Sequence, residues 1–177
     1  MVVVAGTMVL AGPALAACSM GPTYEQWAAT DGAAGRINLD EVQEAFKKSE
    51  SPSEFETRVN QIYEGDSIVL IRSSQDGDTL TLAGFEDLDN DGIIDDVKDD
   101  LLFSVVKEHD SHELRGHGAN GYYRSSFGAG DFLFTYMIIS ALSPGRYYYQ
   151  TPRGSVGGLR NNRTNYRGSA AYRTQVS

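Results

Sequence analysis

Eight carboxylates lie between Glu86 and Asp100, and Lys98 is the only basic residue among them. So much like charge in a short stretch repels itself unless a cation lies within it. Asp87, Asp89 and Asp91 lie at alternate positions. Gly92 follows at the sixth place counted from Asp87, Ile94 at the eighth and Asp95 at the ninth. Because Ca²⁺ takes about six to eight oxygen ligands from a short, sharply turning loop, this spacing predicts a calcium site.

The stretch resembles the D-x-D-x-D-G calcium motif shared by EF-hands, dockerins and thrombospondin type 3 repeats, over about a dozen residues and without any of those folds around it. The resemblance implies ligands from side chains and from one backbone carbonyl, contributed in order by Asp87, Asp89, Asp91, Ile93 (the carbonyl) and Asp95. Asp95 would bind directly or through water, and Gly92 would allow the sharp turn.

The twelfth place of the motif departs from the EF-hand pattern. An EF-hand has a bidentate glutamate there, and this chain has Lys98. Asp99 and Asp96 are adjacent and either could supply the closing ligand; Asp99 is included in the predicted set. Without the glutamate we expect weak binding, roughly 10⁻⁴ to 10⁻³ M, as in extracellular modules. The alternative is a solvated acidic turn that binds no ion.

The elements around this loop predict an α+β fold. Asn38 and the Ser51-Pro52 pair are helix-start signals, and each is followed by apolar residues at helical spacing. β-rich or alternating segments follow, at residues 67–73, 79–82, 101–106 and 112–117. We therefore expect a helical hairpin packed on an antiparallel β-meander, with the acidic loop between two strands.

Charge is distributed unevenly along the chain. Residues 1–131 hold all 24 acids and nine basic residues, whereas residues 132–177 hold six arginines and no acid. Residues 143–177 read as a low-complexity tail rich in Arg, Tyr and Gly. Its partner would be another protein, an anionic glycan, lipid headgroups or the acidic part of the same chain. The net charge of −9 argues against nucleic acid as a partner.

The N-terminus carries an export signal. Residues 1–17 are an apolar run ending in small residues, which is typical of a signal peptide, although no Lys or Arg precedes it. Leu15-Ala16-Ala17-Cys18 resembles the lipobox of bacterial lipoproteins, which implies a lipidated Cys18 and anchoring to a membrane of the cell envelope. Residues 18–35 would be a tether and 36–142 the folded domain. The open alternatives are a free secreted protein, a short membrane anchor and a buried strand.

Enzymatic motifs are sparse. No nucleophile elbow, phosphate loop or dinucleotide fingerprint is present. His109, His112 and His117, with Asp110 and Glu113, form one cluster that could serve a hydrolase, although strand alternation would turn His112 and His117 to opposite faces. The sequence therefore predicts a non-enzymatic, calcium-binding envelope lipoprotein with a structural or interaction role. The alternatives are a subunit of an extracellular assembly or filament, docked through the apolar residues 132–142 or the tail, and a hydrolase.

Overall fold

A computed structural model describes residues 36–108, 111–118, 124–127 and 149–175 of the chain. The predicted signal peptide, Cys18 and the tether lie outside these residues, as do His109, Asp110 and the apolar segment 132–142. The described part contains helices and a five-stranded antiparallel sheet, so the predicted α+β class is confirmed.

Two helices open the described part and begin where the sequence predicts. Helix α1 is Leu39–Lys48, and Asn38 Oδ1 accepts the amide N–H of Glu41 at 3.2 Å. Helix α2 is Pro52–Ile62, and Ser51 Oγ accepts the amide N–H of Glu54 at 3.2 Å. These contacts satisfy amide groups that have no partner within the helix, so both starts are fixed by local sequence.

The five strands form a meander in which each strand pairs with the next: β1 Val69–Asp76, β2 Thr79–Glu86, β3 Asp100–Glu108, β4 Ser111–Gly116 and β5 Arg124–Phe127. The register of β2 and β3 shifts at Gly84/Phe85. A Cβ atom at Gly84 would lie 2.4 Å from Cε1 of Phe103, so glycine is required for this ring to lie against β2.

The core lies between the two helices and one face of the sheet. Leu39, Val42 and Phe46 of α1 and Phe55 and Val59 of α2 are buried. They share one apolar cluster with sheet residues, among them Val69, Ile71, Leu82, Phe103, Val105 and Leu114. This is a two-layer arrangement in which the apolar stripe of each helix covers the apolar face of the sheet.

The C-terminal segment differs from the predicted low-complexity tail, because much of it is helical. Gln150 bridges to Arg72 of β1, and a 3₁₀ turn at Arg153–Ser155 leads into helix α3, Val156–Arg167, and helix α4, Ala170–Gln175. Helix α3 packs beside α2. Leu159 is the only buried apolar side chain of α3. Apolar residues at helical spacing, the usual sequence signal of a packed helix, are therefore missing from this segment.

Glu56 joins α2 to the segment that precedes α3. Its carboxyl group is buried and accepts hydrogen bonds from the hydroxyls of Thr151 and, at 3.1 Å, Tyr149. No basic residue in the described part forms an ion pair with it, and burial raises the pKa of Glu56.

We expect the pH dependence of stability to change in Glu56→Gln. Because the pKa of Glu56 is higher in the folded state, its contribution to the free energy of unfolding is present at acidic pH and lost as pH rises through that raised value. Glutamine stays neutral, so the free energy of unfolding of the variant, relative to that of the wild type, should increase from pH 4 to pH 8. Urea unfolding of both proteins at the two pH values measures this gain; an equal difference at both would contradict it.

Candidate metal centre

The acidic loop connects β2 to β3 and has a strand on each side, as the sequence predicted. β2 ends at Glu86 and β3 begins at Asp100, and these two residues pair across the sheet. The start of the loop is also anchored to the chain before β1, because the amide of Asp87 donates to the carbonyl oxygen of Ile68 at 3.0 Å and the Ser67 hydroxyl donates to the carbonyl oxygen of Asp87. Both ends of the loop are therefore fixed by the sheet.

Aspartate side chains fold the loop by accepting hydrogen bonds from amides two residues ahead. Asp89 Oδ1 accepts the N–H of Asp91 at 3.2 Å, and Asp91 Oδ1 accepts the N–H of Ile93 at 2.7 Å. Gly92 has a φ of +73°, a conformation that suits glycine. The alternating acids thus shape the turn even without an ion.

Three carboxylates converge in the loop. Oxygen atoms of Asp87, Asp89 and Asp99, which we call the carboxylate cluster, lie within 4.8 Å of one another. Asp87 is fully buried, Asp99 is 7% exposed and Asp89 is exposed. Such proximity of like charges, two of them removed from water, is unfavourable without a compensating cation.

Asp87 accepts the fewest hydrogen bonds of the three carboxylates. Its Oδ2 atom accepts the amide N–H of Gly92 at 3.2 Å, but its buried Oδ1 atom has no hydrogen-bond partner. Burial raises the pKa of Asp87, and the neighbouring charge of Asp99 raises it further. A buried carboxylate that has an unpartnered oxygen and lies close to two other carboxylates is an expected metal ligand.

Asp99 holds the two ends of the loop together. Its Oδ1 atom accepts the N–H of Leu88 at 3.1 Å, and its Oδ2 atom accepts the N–H of Asp95 at 2.8 Å. The sequence left the closing ligand open between Asp99 and Asp96. Asp96 instead pairs with Arg72 at 2.6 Å on the surface, so the geometry favours Asp99.

Two other predicted carboxylate ligands, Asp91 and Asp95, do not join the cluster. Asp91 Oδ1 is engaged with the amide of Ile93, and Asp95 Oδ1 accepts the N–H of Val97 at 2.9 Å. The structure therefore brings together three of the five predicted carboxylate ligands, while Asp91 and Asp95 lie in the adjoining turns.

Two basic side chains border the cluster. Lys98 Nζ lies 3.3 Å from Asp89 Oδ2 and 3.7 Å from Asp95 Oδ2, and its hydrogen bond with Asp89 raises the pKa of Lys98. Arg160 of α3 lies 3.6 Å from Asp87 Oδ2 and donates to Asn90 Oδ1 at 3.0 Å. Sequence reasoning did not place Arg160 here; the one signal was the opposite charge of the C-terminal segment and the acidic loop.

The histidines have separate surroundings. His112 is buried and its ring stacks on Phe127, with centroids 5.6 Å apart. His117 Nε2 lies 3.2 Å from Ser104 Oγ, and Glu113 is held by Arg115 and Arg124. Within the described part of the chain, these contacts give a hydrolase site no support.

The fold and the site define an α+β domain with an acidic loop between two strands. Comparisons with protein-family models, with curated proteins and with solved structures find no match for the chain. None of the helices in the ranges that the structure describes is both long and apolar enough to span a bilayer.

Proposed function

We propose that the carboxylate cluster binds Ca²⁺ and that the ion has a structural, non-catalytic role. The observation that carries this proposal is the buried, unpartnered Oδ1 atom of Asp87 beside the carboxylates of Asp89 and Asp99. An ion at this position would supply the positive charge that the buried oxygen lacks.

Calcium suits these residues better than other common ions. All three groups are hard carboxylate oxygens, and the described residues bring no Cys or His to the cluster, which argues against zinc. Three carboxylates leave room for water and for oxygens of the adjoining turns, and Ca²⁺ accepts such variable geometry where Mg²⁺ demands a near-octahedral one. With Lys98 at the twelfth place, we expect a dissociation constant of about 10⁻⁴ to 10⁻³ M.

The ion would connect three parts of the fold. Asp87 follows β2 and Asp99 precedes β3, so a common ligand fixes the ends of the two strands. Gly92 packs against the first residue of α3, since a Cβ atom there would lie 2.9 Å from Cγ2 of Val156. Ordering the loop would therefore also support the docking of α3.

Isothermal titration calorimetry with the EDTA-treated full chain tests the proposal directly. We expect saturable heat with CaCl₂ and much weaker binding with MgCl₂. Absence of any calcium heat, combined with an unchanged melting temperature at about 10 mM Ca²⁺, would contradict a calcium site.

The identity of the twelfth residue provides a graded test. Lys98→Glu removes a cation that competes for Asp89 and restores the carboxylate that an EF-hand carries at this place, so calcium affinity should rise on the order of tenfold. Lys98→Gln removes only the competing charge and should give a smaller rise. Calorimetric dissociation constants in 0.15 M salt should decrease from the wild type to Lys98→Gln to Lys98→Glu. Equal affinities would show that Lys98 does not adjoin the bound ion.

We further propose that this domain belongs to an exported lipoprotein, anchored to the bacterial envelope through Cys18. The support is the lipobox-like Leu15-Ala16-Ala17-Cys18, and weak calcium binding suits a compartment outside the cytoplasm. Mass spectrometry of the native N-terminus tests it: a lipidated Cys18 is expected, and a mature chain that retains Ala17 would contradict it. Light scattering with and without calcium would reveal the alternative, a subunit of an extracellular assembly.

A further inference from the structure

A cavity of about 310 Å³ lies between helix α3 and the chain that leads into β1. Arg160, Arg163 and Arg167 of α3 line one side, and Asp66, Ser67, Ile68 and Asn90 line the other, so the lining holds three arginines and one acidic residue. At spacings of three and seven residues the arginines occupy one face of the helix, so their guanidinium groups converge. No member of the carboxylate cluster lines the cavity, although Arg160 lies 3.6 Å from Asp87 Oδ2 of that cluster.

The arginines are held mainly by neutral acceptors. Arg167 Nη2 donates to the carbonyl oxygens of Tyr63 at 2.9 Å and of Gly65 at 3.3 Å. Arg163 Nη1 donates to the carbonyl oxygen of Asp66 at 3.4 Å, and Arg160 donates to Asn90. Carbonyl and amide oxygens orient a guanidinium group without cancelling its charge. Among the described residues, the ion pair that these arginines form is that of Arg160 with Asp87 Oδ2, at 3.6 Å.

Arg163 is the most deeply placed of the three. It is 6% exposed, and its guanidinium carbon lies 4.9 Å from the centroid of the Tyr63 ring. Its Nε and Nη2 atoms, which form one edge of the guanidinium plane, are buried and have no hydrogen-bond partner. Burial lowers the pKa of Arg163 and the charge of Arg167 lowers it further, while the charges of Asp66 and Glu86 oppose part of this shift. A buried cation with unused donors is unfavourable unless an anion approaches it.

We propose that this cavity binds a phosphate group, with Arg160, Arg163 and Arg167 as its ligands. Guanidinium groups recognise phosphate through pairs of parallel N–H donors, and three of them can surround a tetrahedral, doubly charged anion. A carboxylate would engage fewer of these donors. The volume is at the lower end of small-molecule sites, roughly 300–1,000 Å³, and suits a phosphate group with a small substituent.

Titration of the full chain with sodium phosphate in EDTA, against sodium chloride of equal ionic strength, tests the proposal. EDTA separates it from the calcium proposal, so either can fail alone. We expect a dissociation constant of about 1 mM or below. Arg160→Gln and Arg163→Lys should each weaken binding about tenfold, because the first removes one guanidinium and the second keeps charge but loses the paired donors.

Arg153→Gln is the matched control, since Arg153 is exposed and does not line the cavity. It should bind phosphate as the wild type does. If Arg163→Lys fails to fold, the half-exposed Arg160 still provides the test. No binding by the wild type, equal weakening in Arg153→Gln, or equally tight binding of glucuronate, a carboxylate sugar, would each overturn the proposal.

The phosphate could be free or part of a lipid headgroup. Sedimentation with phosphatidylcholine vesicles containing phosphatidic acid, compared with phosphatidylcholine alone, distinguishes the sources. Phosphatidic-acid-dependent sedimentation that is lost in Arg160→Gln supports a headgroup, and binding of the free ion without sedimentation supports a soluble phosphate. Failure of both measurements overturns the proposal.

Discussion

Replacing Asp87 with asparagine should abolish the calcium-dependent rise in melting temperature. For a dissociation constant of about 10⁻⁴ M, 10 mM Ca²⁺ stabilises the wild type by about 2.7 kcal/mol, or about 5–10 °C for a chain of this size. Asparagine can still accept the Gly92 amide but removes the buried negative charge from the cluster. Differential scanning calorimetry with and without calcium measures the effect.

Without calcium, we expect Asp87→Asn to have the opposite effect on the stability of the protein. Wild-type Asp87 carries a buried oxygen without a partner and lies near Asp99, so neutralising it should leave the metal-free protein as stable or more stable. Asp96→Asn is the matched control, because Asp96 belongs to the same loop but pairs with Arg72 at the surface. It should keep the full calcium effect. A calcium effect that survives in Asp87→Asn would refute the assignment of Asp87 as a ligand.

Replacing Phe103 with alanine should reduce the free energy of unfolding by about 3–5 kcal/mol. The side chain is fully buried, lies against Gly84 and meets the ring of Phe55 edge-on with centroids 6.1 Å apart. Its loss leaves a cavity between the sheet and α2 that these neighbours cannot fill. Urea unfolding in the presence of EDTA measures the change.

Val97→Ala is the control for this effect, because Val97 is 93% exposed in the acidic loop. Its free energy of unfolding should stay within about 0.5 kcal/mol of the wild type. Phe103→Ala should retain the calcium-dependent rise, since Phe103 pairs with Gly84 two steps inside the strand ends and contributes nothing to the cluster. A loss below about 1 kcal/mol would show that this position is not part of the packed core.

The proposed functions share one structural element. Helix α3 contributes Arg160, which contacts Asp87 and Asn90 at the acidic loop, and the same side chain lines the proposed phosphate cavity. The acidic loop and the arginine-rich helix are thus neighbours in space although about 70 residues separate them in the sequence.

Local signals were sufficient to predict helices α1 and α2 and strands β1 to β4. The caps at Asn38 and Ser51 and the apolar spacing that follows them depend on contacts within a few residues, and the structure shows both helices there. The sheet was predicted because alternating segments are separated by turn residues such as Asp76-Gly77. The acidic loop was placed between two strands for the same reason.

Which loop residues converge was not visible in the motif. The spacing offered six ligands, and the structure gathers Asp87, Asp89 and Asp99. Asp99 is selected because it accepts amide hydrogen bonds from both Leu88 and Asp95, which depends on how β2 and β3 pair. That pairing is a long-range contact, so a one-dimensional pattern does not specify it.

By itself, the sequence determined the α+β class, the capped helices and the place of the acidic loop, because each depends on hydrogen bonds or apolar periods within a short window. Only the tertiary structure decided that residues 156–167 form a docked helix and that Arg160, Arg163 and Arg167 converge on one cavity. Helix α3 is held by arginine contacts to distant carbonyl groups and by the single buried Leu159. Such contacts do not require apolar residues at helical spacing. The segment was therefore predicted to be a tail because only its composition could be read.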